Sequence, residues 1–502
     1  MSRLRRNILY NLAGQAVLMG LGLLAVRFVF RQLGPDAFGI VLFSQTINAV
    51  LVAVLELGLS STTVREVAAH WVGEPGYVRD LLRTATLLYW GAYVVLAAAL
   101  LLGAPLIITR WIHLASMDTH TATVLVQVLG VGSLLTLPRS LYVGLLRGLQ
   151  EMGFVNTIDV AMLAAQQLGM IAILVAGGGP MPVVQWLSAT YLLALVAYLL
   201  TSARFVGWRS LVPGYAREAV RRNLSFSGQM AVISTLGMVQ MQSDKLAVSK
   251  LLPIADLGTY GFASTLAAGV SRVTTSIVQA AFPAFAALHQ EGDRLTLLRQ
   301  YRRVHLLVTC LTPPFFAALT FGTTPIFAYV FNPVVARALV VPVALLCGGW
   351  FLNATLNVPY VLSLAMGRPD IAARQNVFAL VVVLPVSVLA VVLFSLRGAA
   401  FGWLFYQLFA YAYSVPRICR ECLGISPLAW YREVARVTTV LALSYGAAYW
   451  LALTVGRGSL WWLVGCYGIG SVAYVAGVYL VAGRDLRGLR PGSRLTPSLE
   501  AA

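Results

Sequence analysis

Apolar runs of 18 residues or more recur along almost the whole chain, and each is long enough to cross a hydrocarbon core of about 30 Å as a helix. The pattern of runs and polar breaks predicts fourteen spans, at 8–30, 38–62, 84–108, 122–144, 155–176, 183–201, 226–248, 257–284, 305–327, 336–364, 376–395, 400–415, 437–453 and 460–481. The expected fold class is therefore all-α, a polytopic membrane protein. A short motif divides it. Leu33-Gly34-Pro35-Asp36-Ala37-Phe38-Gly39, at the turn from the first span to the second, returns with one residue inserted as Leu251-Leu252-Pro253-Ile254-Ala255-Asp256-Leu257-Gly258, at the turn from the seventh to the eighth. Asn11-Leu12 and Asn223-Leu224 likewise open their halves. The expected domains are an N-terminal six-helix lobe (1–201), a cytoplasmic basic linker (202–222), a C-terminal six-helix lobe (223–420), and two further helices with a cytoplasmic tail (421–502). Parallel repeats in transporters pack about an axis along the membrane normal, with the substrate between them.

Composition excludes a water-soluble globule. Of 502 residues 59% are hydrophobic and only 11% charged, and mean hydropathy is +0.80, against about a quarter charged in soluble domains. Met1 to Arg6 followed by an apolar run imitates a signal peptide, yet no small-residue cleavage site follows, so the first helix is expected to remain. The net charge of +18 would suggest nucleic acid in a soluble protein. Here distribution explains it: with Met1 cytoplasmic, 27 of the 36 basic residues fall on inner segments and 6 on outer ones. That asymmetry is expected to place both termini in the cytoplasm and requires no nucleic acid; the expected location is the inner (cytoplasmic) membrane.

The charges inside spans are more informative. Arg27, Lys245 and Arg272 are the remaining basic residues, and Glu56, Asp159 and Asp244 are acids within spans. A charge at mid-membrane costs about 2.5–3.5 kcal/mol, so it faces a protein interior or a water-filled cavity unless it is paired or snorkels to the interface. Asp159, near Arg139 at the inner surface, reads as a structural charge. Arg272 sits near mid-depth and reads as facing a cavity, and alignment on the Leu-x-Pro anchor puts Arg27 opposite Lys245. Asp244 is either a coupling-ion site or the neutraliser of Lys245.

Catalytic signatures are missing from the chain. It has no GxxxxGK[ST], HExxH or GxSxG, so neither ATP hydrolysis nor a familiar hydrolase is expected, and no cofactor. Cys310, Cys347 and Cys466 fall in apolar runs as small hydrophobes. Cys419 and Cys422 form a single CxxC with no second pair, and five His are too few for a metal site.

The patterns Asn11-Leu12 to Arg27, Gln32 to Gly39, Glu56-Leu57-Gly58-Leu59 and Arg65-Glu66-Val67-Ala68, with Asp244-Lys245, Gly258 to Ala263, Phe282-Pro283-Ala284 and Gly367-Arg368-Pro369-Asp370, resemble the polysaccharide transporter (O-antigen flippase, Wzx-type) branch of the multidrug/oligosaccharidyl-lipid/polysaccharide (MOP) superfamily. The likeness covers most of 1–420. It implies two MATE-like six-helix lobes around a cationic lumen that opens alternately to each side and takes the diphosphate and glycan of an undecaprenyl-linked precursor. Arg27, Lys245 and Arg272 match positions of lumenal charge, and Glu56 and Arg65 join them as substrate-binding candidates. The implied partners are a polyprenyl-diphosphate-linked glycan, membrane lipids, and a polysaccharide polymerase or glycosyltransferases. The two extra helices resemble those of the 14-helix lipid II flippases. A lipid II flippase, a MATE-like multidrug or cation antiporter and a membrane glycosyltransferase are the other readings. The antiporter would want an acidic cavity, whereas the mid-span charges lean basic, and Arg pairs with phosphate bidentately.

Overall fold

The structure is a computed structural model and describes residues 26–27, 29–55, 59–368, 370–455 and 459–488. The described residues are helical almost throughout, and they group into two compact units, Met1–Thr259 and Tyr260–Ala502.

The first unit holds α1 (Pro35–Leu55), α2 (Leu59–His70), α3 (Pro75–Arg110), α4 (Thr119–Leu134), α5 (Thr136–Gly148), α6 (Met152–Val175), α7 (Pro180–Val206) and α8 (Arg217–Leu251). The boundary falls inside α9 (Ile254–Gln290), and the second unit continues through α10 (Arg294–Val330), α11 (Pro333–Ala365), α12 (Asp370–Ile418), α13 (Pro427–Leu441), α14 (Ala447–Val455) and α15 (Leu460–Gly488). Ten helices among the described residues are long and apolar enough to cross a membrane. Most of the first expected span lies outside the described residues.

Local chemistry explains the helix starts. Proline, which needs no N–H partner at the first turn, opens α3, α7, α11 and α13. Asp118, Asp293 and Asn332 cap α4, α10 and α11 by accepting from Thr121, Thr296 and Val335 N–H.

The eleventh and twelfth expected spans are the two arms of α12. Ser395, at φ 52° and ψ −129°, breaks the helix in a region that favours glycine. Beyond it the chain runs back along itself. Gly398 lies so close to the Ala390 carbonyl that a Cβ would overlap it, Gly402 packs on Ser387, and Ser414 donates to Gln375 Oε1 at 2.5 Å.

Two prolines inside spans release carbonyls that neighbouring helices answer. Pro105 has no N–H for the Leu101 carbonyl, which accepts instead from Gln127 Nε2 on α4 at 2.8 Å. Pro314 likewise leaves the Cys310 carbonyl to the Tyr474 hydroxyl of α15 at 3.0 Å, while Tyr467 donates to the Pro314 carbonyl at 3.1 Å. These two bonds and the buried cluster Ala317, Phe321, Tyr445, Ala452 and Cys466 fix the C-terminal helices to α10.

Tyr474→Phe should therefore cost about 1–2 kcal/mol of stability, the loss of a hydrogen bond plus an orphaned carbonyl. Adding Pro314→Ala, which restores an N–H for Cys310, should recover most of the lost thermal midpoint in detergent. A double variant no more stable than Tyr474→Phe alone would contradict the account.

Candidate functional site

Helix α8 carries the first candidate chemistry, and polar contacts hold it at both ends. At its Leu251 end, the Trp111 indole N–H donates to Ser249 Oγ at 3.0 Å, the Lys250 ammonium donates to the Arg110 carbonyl, and Ile254 N–H donates to the His113 carbonyl at 2.9 Å. The repeated motif found in the sequence has a physical purpose here: its two copies touch. A Cβ on Gly39 would overlap the Ile254 carbonyl, and one on Gly258 would press on Phe38 and the Gly39 backbone, so each copy needs its glycine for the other. Asp36 of the first copy is buried, and its Oδ2 accepts from the backbone N–H of Ala115, Ser116 and Met117 at 2.9, 2.6 and 3.0 Å, fixing the loop between α3 and α4.

At the Arg217 end, α8 meets α2 and α3. Thr62 and Ser227 share a hydrogen bond of 2.7 Å. Arg65 donates to Glu66 Oε1 through Nε (2.9 Å) and Nη2 (2.6 Å), and Nη2 also reaches Asn223 Oδ1 at 3.1 Å. Tyr77 donates to Glu66 Oε2 at 2.9 Å and accepts from Asn223 Nδ2 at 2.7 Å. Arg222 bonds Glu74 at 3.1 Å, sits 2.8 Å from His70 Nε2 and stacks over the Tyr77 ring. Glu66 is 6% exposed. Burial pushes its carboxyl up, but the Tyr77 hydroxyl, Arg65 and His70 together outweigh that and hold it below the usual carboxylate range.

The expected site residues fall into different settings. Lys245 is half-buried on α8, and its ammonium donates to Gln242 Oε1 at 3.0 Å, a neutral partner. Arg27 is also half-buried in the first unit. Asp244 is buried and accepts from the Lys245 backbone N–H at 2.8 Å. Arg65 belongs to the Glu66 network. Asp159 accepts from Tyr198 at 2.8 Å and lies 3.9 Å from Arg139 Nη1. Glu56 and the Arg272 side chain lie outside the described residues. Sequence reasoning missed Tyr77 and Glu66 as network members, because the residue that joins the network to α8, Asn223, lies some 150 residues from its partners Arg65 and Tyr77; the one available signal was Asn223 standing at the start of the second half.

A family profile described as "Polysaccharide biosynthesis protein" matches residues 4–289, more than half of the chain. The chain belongs to the polysaccharide biosynthesis protein family. A Shigella flexneri member, provisionally named an O-antigen transporter, is 23% identical over 405 residues, 79% of this chain and 93% of that protein. Two solved structures share the fold. An inward-facing MATE multidrug transporter of the MOP superfamily has a TM-score of 0.63 at 16% identity and covers 80% of this chain and 94% of its own. The lipid II flippase MurJ, in an inward closed conformation, has a TM-score of 0.66 at 12% identity and covers 94% and 100%. The family reading and the all-helical MOP fold expected from the sequence are thus borne out; in this family member the α2–α8 network is the described polar site with most partners.

Glu66→Gln should cost about 2 kcal/mol of stability near neutral pH, as a charge-assisted network is lost. Because the folded carboxyl titrates below its unfolded value of 4.5, its contribution is complete above that value and disappears as acid is taken through the lower folded one. The difference in thermal midpoint between native and Glu66→Gln protein should accordingly hold steady near neutrality and shrink below pH 4.5; a gap that widens in acid would refute the assignment.

Proposed function

We propose that this protein is a flippase that moves a polyprenyl-diphosphate-linked oligosaccharide across the cytoplasmic membrane by alternating access, with both termini in the cytoplasm. The observation that carries the reading is the likeness, over 93% of its length, to the protein provisionally named an O-antigen transporter. A diphosphate drawn through a low-dielectric interior needs compensating positive charge that is not already spent on a protein carboxylate. Lys245, whose ammonium bonds an amide, meets that need; we assign it as a substrate contact, and with it Arg27 and Arg272 on the lumenal positions that the family resemblance implies. Arg65 is given a positioning role through Glu66 and Asn223. Asp244 is the candidate for the coupling ion. Polymerase or glycosyltransferase partners would act on the delivered glycan.

The proposal is tested by transbilayer movement of a fluorescent polyprenyl-diphosphate oligosaccharide in proteoliposomes. Arg27→Ala, Lys245→Ala and Arg272→Ala should each slow movement roughly 10–100-fold, the worth of one charge-assisted contact to phosphate, while leaving the fold intact. No movement by the native protein, with cation efflux in its place, would favour the antiporter. Growth of a strain depleted of its own lipid II flippase on expression of this chain would assign the substrate to lipid II.

A further inference from the structure

A cleft of ≈ 320 Å³ lies within the second unit, between the end of α9, the start of α10 and the turn after α12. Its apolar side is Leu288, Leu297 and Met366, and its polar side carries Arg294 and Arg420. Two glycines shape it. Gly292 (φ 73°) and Gly424 (φ 64°) reverse the chain, and a Cβ on Gly424 would overlap the Arg294 guanidinium that crosses it.

The charge balance inside the cleft is positive. Glu421 lines it, yet that carboxylate is held by Arg368 Nη2 at 2.5 Å, and Arg368 also forks onto Asp370 at 2.9 and 3.2 Å. Asp293, at the rim, is turned to its own helix, capping α10. Arg294 donates to the Leu423 carbonyl at 3.2 Å, which fixes its plane while using one of five donors. Among the described residues neither Arg294 nor Arg420 has a carboxylate within ion-pair distance, and His289 stands beside them. Two guanidinium groups over an apolar floor offer donors only, in the fork geometry that matches phosphate oxygens, next to a surface that accepts a hydrocarbon stem.

We propose that this cleft, whose lining includes none of Arg27, Lys245 and Arg272, binds a phosphate group carried by a membrane lipid, one molecule per chain. The ordinary positive-inside role of such arginines would attract an anionic surface without a saturable site. The proposal is independent of the transport reading.

The test is binding to delipidated full-length protein in uncharged detergent, by native mass spectrometry and titration. The probes are short-chain phosphatidylglycerol, a diacylglycerol of the same chain length and inorganic phosphate. Phosphatidylglycerol should saturate at one equivalent. Affinity should fall roughly fivefold in Arg420→Gln and again in Arg294→Gln/Arg420→Gln, and stay unchanged in Arg397→Gln, an exposed arginine elsewhere. Arg420 is exposed and makes no structural bond among the described residues, so its variant reports on binding even if the double variant melts early. Competition by inorganic phosphate supports the phosphate as the group held, and saturation by inorganic phosphate alone, lost in the same variants, keeps the site and changes its source. Equal binding of diacylglycerol, or unsaturable phosphatidylglycerol uptake that is the same in all variants, overturns the proposal.

Discussion

Inside a bilayer a peptide carbonyl that loses its helical N–H has no water to turn to, so another helix has to supply a donor. This chain meets that necessity at two of its internal prolines. Pro105 and Pro314 each strand one carbonyl, and Gln127 and Tyr474 answer from α4 and α15. A proline thus frees a carbonyl in its own helix at which a neighbour docks. The C-terminal helices are tied to α10 by this means. Their apolar faces alone could not place them, because lipid tails are as apolar as the residues they would touch.

The same absence of a hydrophobic drive shapes the first unit. Helix–helix contact there relies on small residues that let backbones approach and on side-chain bonds across the gap. Gly39 and Gly258 supply the first at one end of α8, while Thr62, Arg65, Tyr77 and Asn223 supply the second at the other. Single interhelical hydrogen bonds in membranes average only about 0.6 kcal/mol. A junction made of several such bonds holds its geometry where apolar contact alone would not fix it.

Why the ten apolar crossing helices were legible in sequence while this junction was not follows from the same physics. Membrane crossing is a property of one contiguous segment, so the apolar runs mark it, and even the reversal at Ser395 was readable from the polar break between two runs. The α2–α8 junction is made by residues far apart in the chain, and its members are ordinary taken singly. Arg65 alone reads as a substrate cation; only the structure brings Glu66, Tyr77 and Asn223 to it. The repeat motif was visible as a pattern, but the need for its glycines appears only when the two copies meet.

A flippase has a further electrostatic condition to meet. A cation paired with a protein carboxylate has already recovered its desolvation cost and gives an anionic substrate little extra, whereas an unpaired one at full depth is too costly to insert. Lys245 sits between these limits: half-buried, near the end of its helix, with its ammonium on a neutral amide. In the proposed role, releasing that ammonium to a phosphate would break one bond to an uncharged acceptor and expose no carboxylate. Arg222 and Arg368, by contrast, are each committed to carboxylates at 3.1 and 2.5 Å, so substrate could win them only by uncovering a negative charge against itself. The distinction between a transport contact and a structural charge therefore lies in the partner each cation would have to give up, more than in its depth.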